Sequence, residues 1–377
     1  MKPMVPTEGA ESIPAGPDWT PIAIGVAILL VALGYLVARS VMSAEFRTGL
    51  ALGLGGLMGK ELRTRSRGWR SMVLLTAYLG ALTLGVAGFL ALITRVGGVI
   101  SPATGIQVFS ALAVGSVLLL AFITPALTVG AVSGERERRT LDLLLVTRAS
   151  TLGLVGGKLL GALFYTLFLL AASLPAFALV YLFGGVPPLY LGMALAVGAV
   201  TALAHASLGL LLSALLRRTI VASVMAYLVV LALVIGMPFV SAVLGLSRTI
   251  SMGGPSQPQG PPPIYLSLSP LVSISSVMPS GSSTSGVPLV GDVMRLLLGA
   301  SPYSSVSAVA SSYSITRSSY PVLANPITGQ METATTWAAW VYHFLFGGAF
   351  SLLCLFLAAL ALAPVKPWRG WRFRSDE

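Results

Sequence analysis

Charge is what this chain has least of. Asp, Glu, Lys and Arg make up 9% of its 377 residues, where an ordinary soluble domain carries roughly 25%. Hydrophobic residues account for 55% and mean hydropathy is +0.89, a balance that excludes a soluble globular fold and predicts an integral membrane protein. Cysteine is nearly absent: Cys354 stands alone, so no intramolecular disulfide can form. Histidine is limited to His205 and His343, in different apolar segments, and no metal ligand set can be drawn around them. Each is read as hydrogen-bonded to a neighbouring helix. The 12 acidic residues all fall in predicted tails and loops, which removes the usual ion-binding groups of a proton- or sodium-coupled carrier. A phosphate-binding loop is also missing. It needs Gly, four residues, then Gly-Lys and Ser or Thr, but Gly59-Lys60 is followed by Glu61 and Gly157-Lys158 by Leu159. No catalytic residue and no cofactor are therefore expected in this chain, and any ATP-driven step has to be supplied by another one.

Long apolar runs are what the sequence does contain. They cover Ile22 to Met42, Ser71 to Thr94, Ile106 to Val132, Leu159 to Phe183, Leu189 to Leu216, Ile220 to Leu246 and Trp337 to Ala363. Each has the ~20 residues needed to cross a hydrocarbon core of ~30 Å, which predicts an all-α polytopic membrane protein with seven spans. Pro125, Pro175 and Pro238 fall inside spans and should kink them. Gly157 with Gly161, and Gly198 with Ala202, have the spacing of close helix packing.

Around the spans, residues 1–20 read as a polar tail and 21–42 as an uncleaved anchor. Residues 43–70 read as an amphipathic segment on the membrane surface, with Lys60, Arg63, Arg65, Arg67 and Arg70 on its basic face and Trp69 at headgroup level. Glycines at 49, 53, 55, 56 and 59 weaken that helix, each by about 1 kcal/mol. The Pro- and Ser-rich stretch 247–336 reads as a largely irregular external segment with two short apolar pieces, Ile264 to Met278 and Val287 to Ala300. Residues 364–377 form a basic tail.

The formal charge of +11 lies mostly beside apolar segments, where anionic lipid and the positive-inside rule explain it without nucleic acid. With the N-terminus outside, only Lys2, Arg95, Arg248, Arg295 and Arg317 of the 23 basic residues fall on the outer face. That asymmetry predicts an N-out, C-in protein of the plasma (inner) membrane.

The densest mixed-charge cluster, within residues 134–150, is then cytoplasmic. It reads Glu135-Arg136-Glu137-Arg138-Arg139-Thr140-Leu141-Asp142-Leu143-Leu144-Leu145. Glu135 with Arg139, and Arg138 with Asp142, have the i,i+4 spacing that supports a short helix in water. Leu141, Leu144 and Leu145 form an apolar stripe suited to a partner's groove.

This run, with Gly157-Lys158-Leu159-Leu160 after it, resembles the loop between the second and third core spans of ABC-2-type permeases, the membrane subunits of ATP-binding-cassette exporters. Their usual form is Glu, a charged residue, Glu, a variable position, then Gly-Thr-Leu-Glu-Leu-Leu-Leu. This chain has Arg139 where glycine is common and Asp142 in place of Glu. Lys60-Glu61-Leu62-Arg63 likewise resembles the family's entry helix. The resemblance covers residues 71–363 and implies a six-span core, with the 21–42 anchor as an addition. It further implies that Glu135 to Leu145 forms a coupling helix against a cytoplasmic ATP-binding subunit holding ATP and Mg, and that two permeases pair around the translocation path. A non-transporting membrane scaffold and an ion-coupled carrier are the other function classes compatible with the composition.

Overall fold

The computed structural model describes residues 68–95, 102–141, 151–183, 186–240, 243, 264–277, 317–324, 331–337 and 339–362. The 21–42 anchor, Lys60, Arg63, Arg65 and Arg67 of the entry segment, Asp142, Leu144 and Leu145, the piece 287–300 and the basic tail lie outside those residues.

Among the described residues, six stretches of helix are long and apolar enough to cross a membrane: Ser71–Ala91, Thr104–Glu137, Thr151–Val180, Pro188–Leu215, Thr219–Val240 and Ala339–Leu362. They correspond one for one to the predicted core spans. In detail they comprise α1 (Trp69–Arg95), α2 (Pro102–Thr128), α3 (Gly130–Glu137), α4 (Thr151–Ala172), α5 (Leu174–Phe183), α6 (Pro188–Leu215), α7 (Thr219–Leu231) and α9 (Ala339–Leu362), with a short α8 (Pro270–Val277) between the last two. The family-sized core is therefore helical, as predicted. One part of the 247–336 segment is not: β1 (Arg317–Ala324) and β2 (Met331–Trp337) pair antiparallel, Arg317 opposite Trp337 and Pro321 opposite Thr333, with a register shift between Pro321 and Ala324.

Helices α2 and α6 form the centre and α1 and α7 present mostly outward-facing apolar side chains, such as Leu84, Ile220, Val224 and Leu228. Lipid tails are as apolar as these side chains, so what selects the inner faces is close packing rather than water exclusion. The main cluster joins Tyr78 and Leu82 of α1, Phe109 and Leu112 of α2, Leu169 of α4, Phe177 of α5, Val197 of α6 and Ile274 of α8. Phe109 and Phe177 meet edge to face at 5.7 Å. Gly198 admits Leu170 of α4 to within 3.3 Å of where a Cβ would stand, so its small size is used for helix approach.

The prolines act differently from one another. Pro125 stays inside α2, while Pro175 follows the break at Ser173 that separates α4 from α5. Pro238 has no N–H to offer the carbonyl of Val234 four residues back. That carbonyl lies in a π turn, Ala232–Gly236, and accepts instead from Ser269 Oγ at 3.2 Å. The orphan acceptor created by a proline in one element is thus used to seat the 264–277 segment. His343 seats the same segment: its Nδ1 meets the Ser267 carbonyl at 3.0 Å and its Nε2 meets Thr201 Oγ1 of α6 at 3.1 Å. A carbonyl only accepts, so Nδ1 carries the proton and the Thr201 hydroxyl donates to Nε2. His205 Nδ1 donates to the Thr201 carbonyl, 2.8 Å away in its own helix. His343 is bonded to other elements as predicted, whereas the prediction fails for His205, whose bond stays within its own helix.

Candidate functional site: a charged clamp at the end of the second span

The charged run does not lie in a free loop. Helix α3 continues the second span as far as Glu137, and α4 begins at Thr151, ahead of the predicted Leu159. Glu135, Arg136 and Glu137 therefore sit on a helix that extends the span, and Lys158 sits inside α4 with only 2% of its surface exposed.

Three consecutive side chains reach three different elements. Glu135 Oε1 accepts from Lys158 Nζ of α4 at 2.6 Å. Arg136 Nη2 donates to the Ala214 carbonyl at 3.3 Å, where the last turn of α6 leaves acceptors open. Glu137 Oε1 accepts from the backbone N–H of Thr219 at 2.7 Å, placing an anion at the N-terminus of α7. The alternation of acid, base, acid matches a helix pair, an exposed carbonyl end and an exposed N–H end.

A hydroxyl cluster supports the clamp. The first turn of a helix leaves N–H groups without intrahelical partners. Here Ser213 Oγ of α6 accepts from the N–H of Val132 at 3.0 Å and of Ser133 at 2.9 Å. The Thr219 hydroxyl donates to Ser133 Oγ at 3.0 Å, and that serine donates to the Val129 carbonyl at 2.9 Å. All of this is enclosed at Ser133 and Ser213, both fully buried.

The predicted helix from Glu135 to Leu145 is corrected by how α3 ends. Arg139 has φ 56°, the left-handed region. The Thr140 N–H donates to the Glu135 carbonyl at 2.9 Å and the Arg139 N–H to the Arg136 carbonyl at 3.1 Å. These are the two bonds of a Schellman terminus, with Arg139 in the place that glycine normally fills. The helix stops because its last carbonyls are closed off by this turn, and Glu135 pairs with Lys158 in place of Arg139. The usual glycine of the resembling motif thereby acquires a physical reason. A left-handed L-residue costs roughly 1 kcal/mol, so Arg139→Gly should raise stability by about 0.5–1 kcal/mol, read as a higher melting temperature of the purified chain.

Leu141 is the second correction. It was predicted to dock on a partner, but it is buried against Val132, Leu154, Val155 and Leu210, because the reversal at Arg139 points the chain back onto the bundle. Arg138, Arg139 and Thr140 are exposed. Of the entry-segment residues, Arg70 lies in the first turn of α1, beside Trp69, which is exposed.

Beside the clamp lies an open groove of about 320 Å³. Leu127, Gly130, Ala131 and Gly134 form one wall, and Glu135, Arg138 and Lys158 supply its charged end. Glu135 Oε2 is buried and meets no hydrogen-bond partner among the described residues. Among the described residues no group of three or more His, Cys, Asp or Glu side chains could hold a metal ion.

Sequence reasoning found the charged run and the Gly157-Lys158 pair after it, but not the contact between Lys158 and Glu135, and it missed Ser133, Ser213 and Thr219, whose partners are remote in sequence. Gly157-Lys158 within an otherwise apolar helix was the one available signal.

A family model described as "ABC-2 family transporter protein" matches residues 56–342, more than half of the chain. No curated protein matches the chain.

Proposed function

The chain belongs to the ABC-2 family of transporter proteins, a multi-pass membrane permease and not itself a catalyst, and from that premise we propose that it is the membrane subunit of an exporter driven by a separate cytoplasmic ATP-binding subunit. In this reading it sits in the plasma membrane with the charged turn in the cytoplasm, and two permeases pair around the path. ATP and Mg belong to the partner.

The observation that carries this reading is the clamp. A partner pressing on the exposed turn Arg138 to Thr140 would displace α3, and α3 is bonded through Glu135, Arg136 and Glu137 to α4, α6 and α7. Three spans would then move with one lever. Displacement through rigid helices and charge-assisted bonds is how a local contact becomes a change between packed states. The sequence expectation that Glu135 to Leu145 forms the contact with the partner narrows accordingly. Arg138, Arg139 and Thr140 offer the contact surface, together with Asp142, Leu144 and Leu145 beyond the described residues. Glu135, Arg136, Glu137 and Leu141 transmit from behind it.

The test is an Arg139→Glu, Thr140→Glu chain co-expressed with its ATP-binding subunit. Burying two uncompensated carboxylates at a contact costs several kcal/mol, so association should weaken by roughly a hundredfold while the melting temperature of the chain alone is unchanged. Undiminished co-purification together with wild-type ATPase stimulation would overturn this reading and favour a scaffold without a transport cycle.

A further inference from the structure

Residues 264–277 enter the bundle at a depth where irregular backbone is kept only by the protein around it. The segment is a 3-10 turn, Ile264–Leu268, followed by α8, and its Leu266, Val272, Ile274 and Val277 are buried. The Ser267 carbonyl shares His343 with Thr201, halfway along α6 (Pro188–Leu215), so the turn reaches mid-span. Neither the segment nor α2, α6, α7 or α9 contains Asp, Glu, Lys or Arg, so packing and neutral hydrogen bonds hold it in place. Its hydroxyls are of two kinds. Ser273, Ser275 and Ser276 donate to carbonyls of the segment itself, those of Ser269, Val272 and Ser273, and these bonds travel with it. Ser269 instead donates outward to the Val234 carbonyl at 3.2 Å. Two more bonds cross to α9: the Ser267 carbonyl accepts from His343 Nδ1 at 3.0 Å, and Ser276 Oγ accepts from the Trp340 N–H at 3.1 Å. The segment thus straps the span Thr219–Val240 to α9.

We infer that residues 264–277 form a releasable strap and that the π turn Ala232–Gly236 is the catch that holds it. Pro238 denies the Val234 carbonyl its α-helical donor, which leaves that carbonyl for Ser269. A π turn beside a proline bends the helix that contains it. Straightening the bend turns the Val234 carbonyl back along the helix axis, away from Ser269, and the strap loses its tie to this span. Once undocked, α8 has 8 residues, too few to stay helical alone, so the order of the strap follows the shape of the span Thr219–Val240. An ordinary buried segment held by packing has no such dependence on a backbone N–H in another element. The same span begins at Thr219, whose N–H is held by Glu137, about 22 Å along the helix from Val234. On the lever reading, on which this one step rests, a push at the clamp reaches the catch through a single span.

Pro238→Ala tests the catch because it adds a donor where the others remove one. The new N–H can bond the Val234 carbonyl in an ordinary α-helical turn, taking it from Ser269 while mending the helix. The full chain, without any ATP-binding subunit, is placed in lipid nanodiscs and followed by hydrogen–deuterium exchange and mass spectrometry. In the wild type the amides of 270–277 should exchange about tenfold faster than those in the middle of α6, as a locally opening unit does. Pro238→Ala should speed strap exchange about fivefold, the scale of one neutral hydrogen bond, while slowing exchange around Val234 and leaving the melting temperature unchanged or raised. Ser269→Ala should speed the strap to the same extent with α7 untouched, and the double variant should also stay near fivefold, since both changes act through one contact. Ser275→Ala, whose hydroxyl bonds only within the strap, should leave docking as it is. Three results would each overturn the inference: strap amides as slow as mid-α6 in the wild type, unchanged strap exchange in Pro238→Ala, or a double variant whose effect is the product of the two singles. With no partner present, the outcome stands apart from any failure of the coupling experiment.

Discussion

Replacing Lys158 with Met should cost about 3–5 kcal/mol of stability, the loss expected when one member of a buried ion pair is removed. Lys158 is 2% exposed and its Nζ lies 2.6 Å from Glu135 Oε1. The other carboxylate oxygen of Glu135 has no partner among the described residues, so the substitution leaves the whole group without its closest counter-charge in a site where charge is expensive. The Glu135 side chain keeps 21% exposure, which lets some solvent in and places the expected loss toward the lower end. Removing both charges is a different matter. Lys158→Met with Glu135→Leu fills the same space with apolar groups, and such replacements of buried pairs are often neutral or stabilising. The double variant should therefore recover most of the lost stability, giving a coupling energy of about 3 kcal/mol in the cycle. Cys354 supplies the readout: it is the chain's single cysteine and 2% exposed, so a thiol-reactive dye reports unfolding without any added label. If the single and double variants melt at the same reduced temperature, the pair is not the source of the loss. The double variant also separates stability from transmission, because it folds while α3 is no longer tied to α4.

The spans were legible in the sequence because a run of about 20 apolar residues has few other uses. Their ends were not. Glu135, Arg136 and Glu137 read as part of a separate short helix between two spans because their partners lie 23, 78 and 82 positions away, and no local pattern announces a carboxylate that will meet a helix N-terminus formed so much later. The same remoteness made Leu141 look like a surface residue, since its burial depends on the reversal at Arg139. That reversal did have a trace in sequence: glycine is common at this place in the resembling motif, and glycine is the residue that a left-handed terminus favours. The hairpin of β1 and β2 also had a signal that the count of prolines and serines concealed. Tyr320 and Val322 alternate on one strand and Thr333 and Thr335 on the other, the period-two pattern of paired strands. Of the histidines, the sequence indicated hydrogen bonding but not that His343 would fasten the 264–277 segment to α6.

Gly209→Ala should cost about 3 kcal/mol, although alanine is the better helix former by about 1 kcal/mol. A Cβ at Gly209 would overlap Thr128 Oγ1 and come within 3.3 Å of the Cα and carbonyl oxygen of Pro125. The first obstacle is a short branched side chain whose hydroxyl bonds the Pro125 carbonyl at 3.2 Å, and the second is backbone. Neither can swing aside as the tip of a long side chain could. Overpacking of this kind costs about 1–3 kcal/mol, and a buried hydroxyl pushed off its acceptor adds about 1–3 kcal/mol; together they outweigh the propensity gain. Gly80→Ala and Gly85→Ala on α1, where a Cβ meets open space, should instead be neutral or slightly stabilising. Thr128→Ala in the Gly209→Ala background should recover part of the loss, since it removes the first obstacle and leaves Pro125. Full recovery, or no loss in the single variant, would contradict the close crossing of α2 and α6. The consequence extends to the clamp. Ser213, which holds Val132 and Ser133, is one turn along α6 from Gly209 and on the same face. Widening the crossing at Gly209 draws Ser213 away from α3, so a glycine with no polar atom of its own in its side chain sets the distance over which the charged lever works.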